Sequence, residues 1–151
     1  MLNPDFKDML SLLCDEQVEF LVVGAYALAA HGFPRATGDI DIWIGRSEVN
    51  IERVWRSLSR FGAPLEQVSK NDLQSAGLVF QIGVAPRRID ILTSIDGVEF
   101  DTALVRGIEI EVEGLRFKVL GKEDYIINKK AVGRPQDIAD VARLEKKDPT
   151  K

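Results

Sequence analysis

Residues 39–44 run Asp-Ile-Asp-Ile-Trp-Ile. This strict alternation has the period of a β-strand and not of a helix. On a strand, residues i and i+2 leave the same face, roughly 6.5 to 7 Å apart. Asp39 and Asp41 therefore share one face, while Ile40, Ile42 and Ile44 pack the other. The segment demands a sheet with an apolar core on one side and room for two carboxylates on the other.

Asp90 repeats the device, since Ile89 and Ile91 face the core and send Asp90 the opposite way. Two acids this close repel each other and lose solvation together unless a cation neutralises them, and oxygen-only ligands select a hard ion such as Mg²⁺. If the two strands are neighbours, three carboxylates converge, enough to hold a pair of metal ions about 3.5 to 4 Å apart. The alternative is an ordinary solvated strand face.

Upstream, Glu19 to Val23 is an apolar, β-branched strand that ends at Gly24, and Ala25 to Ala30 is helix-forming. A helix that opens at a tight glycine turn presents free N–H groups and a positive dipole end, a seat for phosphate. Ala25 to Gly38 is long enough to bring the Asp39 strand alongside the first.

The remaining pattern predicts a first helix from Pro4 to about Glu16, capped by Asn3, and another after Ser47 with an Ile51, Val54, Trp55 and Leu58 stripe ended by Gly62 and Pro64. A short helix is expected near Ser69 to Ala76. Leu78 to Val84 and Arg88 to Leu92 form a hairpin turning at Ala85-Pro86-Arg87, and Ile108 to Val112 and Leu115 to Val119 form a second, turning at Glu113-Gly114. Helices from about Lys122 to Val132 and Pro135 to Lys146 close the chain around Gly133. With 151 residues and no linker or repeat, this order predicts one α/β (α+β) domain over residues 1–151, a mixed sheet flanked by helices.

A lone Cys14 rules out an intrachain disulfide and fits a reducing cytoplasm. The apolar run from Phe20 to Ala30 is too short to span a bilayer, and Asp5 and Asp8 are foreign to a signal peptide. The net charge of −4 disfavours a general nucleic-acid coat, and no helix-turn-helix or other readout motif supports sequence-specific DNA binding. The charge is divided: residues 1–115 hold 10 Lys or Arg against 18 Asp or Glu, and residues 116–151 hold 10 against 6. A phosphate-bearing partner would be held locally, through metal and a basic C-terminal face.

Gly24, then His31-Gly32, Arg35, Thr37 and Asp39-Ile40-Asp41, followed by Asp90 on a later strand, resemble the nucleotidyltransferase-fold superfamily that includes DNA polymerase beta. The closer likeness is to small prokaryotic members related to abortive-infection toxins, whose final helix pair is similar to Lys129 through Asp140. The likeness runs from about residue 18 to 145, and its specificity lies in the order of the motifs.

The resemblance implies that Asp39 and Asp41 bridge two Mg²⁺ ions and that Asp90 binds the ion beside the attacking hydroxyl and helps take its proton. It also implies that Gly24, Ala25 and the following N–H groups hold the β- and γ-phosphates of a nucleoside triphosphate, with Lys129 adding a point charge. The superfamily has Gly-Ser at the phosphate turn; this chain has Gly24-Ala25 and lacks that hydroxyl, which Arg35 and Thr37 would have to offset. The implied reaction is Mg²⁺-dependent transfer of a nucleoside monophosphate to a hydroxyl on protein, RNA or a small molecule, in the cytoplasm and with no membrane partner. A toxin–antitoxin setting is one such context. The alternative from a different class is a non-catalytic protein of the same fold that binds a partner, as toxin or antitoxin component.

Other residues carry two readings each. His31 is read as structural or capping before catalytic. Arg88 has the parity of Asp90 and either sits exposed at the hairpin with Arg87 or faces the site to bind phosphate or acceptor. Trp43 shares the aspartate face, as core or as a flank for a base. Arg134, Asp137 and Asp140 are read as an ion-pair network joining the last helices, and Cys14 as inert packing.

Overall fold

Six strands form one sheet in the computed structural model, which describes residues 2–33, 38–84 and 87–146. They are β1 (Phe20–Val23), β2 (Ile40–Ile44), β3 (Val79–Ile82), β4 (Ile89–Leu92), β5 (Ile108–Val112) and β6 (Leu115–Val119). The helices are α1 (Pro4–Asp15), α2 (Gly24–Ala30), α3 (Glu48–Phe61), α4 (Lys70–Gln74), α5 (Phe100–Arg106), α6 (Lys122–Val132) and α7 (Pro135–Lys146). The strand order is β3-β4-β2-β1-β6-β5. β2 pairs antiparallel to β1 and parallel to β4, while β3–β4 and β5–β6 are the two expected antiparallel pairs. This is the mixed sheet flanked by helices that the pattern predicts, with the C-terminal helix pair in place.

The β2 alternation does what its period demands. Ile40, Ile42 and Ile44 are at most 1% exposed, and β4 adds Ile89 and Ile91 to the same core. Burying such side chains contributes about 1.5 to 3 kcal/mol each, which fixes the register because a one-residue slip would drive both aspartates into that core. Asn50 locks the β1–β2 pair at its other end: buried on α3, it accepts the Glu19 N–H and donates to the Glu19 and Gly45 carbonyls.

Caps account for the helix boundaries. Asn3 accepts from the Asp5 N–H and Pro4 opens α1; Ser47 accepts from the Asn50 N–H at the start of α3, and Gly62, at φ +87°, ends it. Ser69 and Asp72 form a capping box on α4, which is shorter than the pattern predicts. Glu113 and Gly114, at φ +50° and +84°, turn the β5–β6 hairpin. The turn at Ala85 and Pro86 lies outside the described residues.

α5 has no counterpart in the sequence pattern. It is only seven residues long and its N-cap, Glu99, makes no side-chain capping bond, so neither periodicity nor a start signal marks it. It matters for the site, because Phe100 stands edge-on to Trp43 with ring centroids 5.1 Å apart. Among the described residues no helix is long and apolar enough to cross a membrane.

Candidate active site

Pairing brings the acids together. The β2–β4 register sets Asp41 directly opposite Asp90, and the β1–β2 register sets Val23 opposite Asp41, so the turn that begins at Gly24 abuts the same carboxylate. Gly24 has φ +66°, and a Cβ there would collide with Asp41 Oδ2. Glycine is required twice at this point, for the left-handed backbone and for the close approach of Asp41.

The three carboxylates are linked in different ways. Asp41 and Asp90 are cross-strand partners on β2 and β4, near enough for Asp90 to disfavour the charged form of Asp41. Asp39 reaches Asp90 through Arg88, which faces the site as its parity allows. The Arg88 guanidinium donates through Nε to Asp90 Oδ1 at 2.7 Å and through Nη2 to Asp90 Oδ2 at 3.2 Å. Nη2 also lies 3.3 Å from Asp39 Oδ2, and the Arg88 backbone N–H donates to Asp39 Oδ1 at 3.1 Å. As the side chains stand, no three acidic, His or Cys groups among the described residues are gathered around one point that could hold a metal ion. The convergence expected from the sequence is present at the level of the strands, with a guanidinium lying between Asp39 and Asp90.

Burial, then the neighbouring Asp90, push the Asp41 carboxyl from 3.8 up to about 6, with Lys129 pulling the other way. The folded-state value lies above the unfolded one. The stability contributed by the neutral carboxyl is therefore fully present below about pH 4 and is lost as the pH rises through about 6. Wild type and Asp41→Asn are expected to melt at the same temperature near pH 4, with wild type falling behind between about pH 4 and 6 and the gap constant above that. Melting curves recorded from acid to neutral pH check this, and a constant difference throughout would remove Asp41 as the titrating group.

Lys129, on α6, comes close enough for its charge to act on Asp41. Its Nζ is 3.7 Å from buried Asp137 on α7 and 5.3 Å from the centre of the Tyr125 ring. Arg134 also holds Asp137, with Nε and Nη2 at 2.7 and 3.2 Å, and these bonds hold the Asp137 carboxyl below its ordinary value. Of the expected network of Arg134, Asp137 and Asp140 joining the last helices, the Arg134–Asp137 pair lies at the start of α7, and it is Lys129 that ties Asp137 to α6. Tyr125, one helical turn before Lys129, is marked in the sequence only by that spacing.

The other named residues fall as follows. Ala25 is half-buried on α2 and brings only a methyl group. Arg35 and Thr37 lie outside the described residues. His31 Nε2 hydrogen-bonds the Leu120 carbonyl at 2.8 Å, a structural tie between α2 and the end of β6. Trp43 is 2% exposed and packed on Phe100, its indole N–H buried without an acceptor among the described residues, so it belongs to the core. Cys14 contacts the Arg116 carbonyl, and burial raises its thiol, as suits an inert side chain.

Residues 3–151 match the family model described as nucleotidyl transferase of unknown function (DUF2204). Among solved structures, the fold is similar to that of a Thermotoga maritima protein provisionally named a nucleotidyltransferase, with a TM-score of 0.61 and 17% identity over 97% of this chain and 94% of that one. At that identity the likeness is one of fold. No curated protein matches the chain.

Proposed function

The chain belongs to the family of nucleotidyl transferases of unknown function, and from that premise we propose that it moves a nucleoside monophosphate from a nucleoside triphosphate to a hydroxyl acceptor, using metal held by Asp39, Asp41 and Asp90. The observation that carries this reading is the pairing of Asp41 with Asp90 on adjacent parallel strands, with the Gly24 turn pressed against Asp41.

The donor set fits Mg²⁺: it is all oxygen and anionic, Asp41 is held in its charged form at a cost, and a cationic guanidinium already stands between Asp39 and Asp90. Two such ions, when bound, would neutralise the triphosphate and lower the pKa of the acceptor hydroxyl. Asp39 and Asp41 would hold them from β2. Asp90 would hold the acceptor side and accept the proton as the acceptor oxygen bonds to the α-phosphorus and the bond to the β-phosphate oxygen breaks, releasing pyrophosphate. The backbone N–H groups from Gly24 onward and Lys129 would bind the departing phosphates. The acceptor is a hydroxyl on a protein, an RNA or a small molecule, and we place the reaction in the cytoplasm, within a toxin–antitoxin pair as one setting.

One observation favours the non-catalytic, partner-binding reading: Arg88 already neutralises two of the three carboxylates. Calorimetry with Mg²⁺ and nucleoside triphosphates separates the two, since the partner-binding reading expects no metal-dependent nucleotide binding. The direct test is transfer of labelled nucleotide to candidate acceptors. Asp39→Asn is expected to lower transfer by roughly a hundredfold or more while the circular dichroism spectrum is unchanged. Equal transfer by wild type and variant would overturn the assignment.

A further inference from the structure

The position of one atom, Arg88 Nη2, carries a further step. It lies 3.3 Å from Asp39 Oδ2 and 3.2 Å from Asp90 Oδ2, and so fills the point between those two carboxylates. Any cation that bridges Asp39 and Asp90 through these oxygens must take its place. Sharing is unfavourable as well, because a divalent ion set beside a guanidinium at such range is repelled by it.

The arrangement is built and not incidental. The Arg88 backbone N–H also binds Asp39 Oδ1, and the Arg88 carbonyl accepts the Ile40 N–H, so the residue is fixed by the β2–β4 ladder at the mouth of the site. Its fork takes both oxygens of an Asp90 side chain that is only 9% exposed, a bidentate pair of the strong, charge-assisted kind. Without this cation the cross-strand pair Asp41 and Asp90, with Asp39 beside them before β2, would stand with no guanidinium to offset their charge.

We propose that Arg88 is the resident counter-cation of the ligand-free carboxylate site, and that metal loading is an exchange in which the ion displaces the guanidinium from Asp39 and Asp90. The inference rests on the metal-binding reading of those acids. Its consequence is that Arg88, once released, has lost its carboxylate partners while remaining tethered beside the site. Its five donors then suit an anionic phosphate oxygen of the nucleotide. Arg88 thus opposes bare metal and assists the metal–nucleotide complex.

Calorimetric titration of the whole protein with Mg²⁺, and with Mn²⁺ as a second probe, tests this without any turnover. Arg88→Gln should bind the bare ion at least about tenfold more tightly than wild type, within the range typical of coupled binding events. It should bind the Mg²⁺–nucleoside triphosphate complex more weakly. Arg88→Lys keeps a charge without the fork and should fall between the two in bare-metal affinity; it serves as the readout if the glutamine variant fails to fold. Bare-metal affinity that is unchanged or reduced in folded variants overturns the exchange. If wild type and variants all bind no metal, the carboxylate reading itself fails and the exchange falls with it. If wild type binds metal and the variants bind it equally, the exchange alone fails.

Discussion

Asp41→Asn is expected to yield a protein that is more stable than wild type at neutral pH and unable to transfer nucleotide. Its carboxyl is pushed from 3.8 up to about 6, so the ionised form present at neutral pH is the form the fold disfavours. A tenfold change in an ionisation constant corresponds to about 1.4 kcal/mol, and discounting for the solvent that reaches this half-buried group leaves roughly 1 to 2 kcal/mol gained by an uncharged amide. For a chain of this size that is a rise of about 2 to 8 °C in melting temperature. Transfer should fall by on the order of 10³-fold, because the anion that would hold the metal on β2 is gone. Asp39→Asn makes the contrast: it weakens acceptors used by the Arg88 backbone N–H and guanidinium, so it should cost stability instead of adding it. Thermal melts and labelled-nucleotide transfer on the same preparations check both. A melting temperature that drops for Asp41→Asn would mean that its charge is already compensated, and transfer within about tenfold of wild type would remove Asp41 from the chemistry.

That opposition between stability and function follows from a pattern visible in the sequence. Period two in residues 39–44 decides which side chains go to the core, and burial of Ile40, Ile42 and Ile44 holds the two aspartates on the far face whatever they cost. Local signals are equally sufficient for the caps at Asn3, Ser47 and Ser69 and for the Glu113-Gly114 turn, because each is satisfied within a few residues. Strand partnership is of another kind. The Arg88 backbone N–H meets Asp39 across 49 residues of sequence, and nothing local to either strand states that they are neighbours or that they run parallel. Parity sends Arg88 toward the site, yet its choice of Asp90 and Asp39 as partners depends on that pairing. The same holds for Lys129, whose ion pair with Asp137 depends on the packing of α6 against α7. α5 escapes a reading of the sequence for want of length and of a cap.

Gly24→Ala should damage the site more than the fold. Two effects act on an added Cβ, and the structure separates them. The first is backbone strain: φ +66° is left-handed, a region that costs a residue with a Cβ about 1 to 2 kcal/mol, or roughly 2 to 8 °C in melting temperature here. The second is collision with Asp41 Oδ2. This atom ends a rotatable side chain, so the clash is relieved by turning the carboxylate away from the Gly24 turn, at little cost to the fold and with loss of the arrangement proposed to hold metal. Transfer and metal affinity should therefore fall by about a hundredfold or more, out of proportion to the stability change. Gly62 supplies the control. It is also left-handed, at φ +87°, but a Cβ there meets nothing within 4 Å. Gly62→Ala should lose a similar number of degrees and keep its transfer rate. If Gly24→Ala loses only stability, as Gly62→Ala does, the close approach to Asp41 is a packing feature and the turn plays no part in placing that carboxylate.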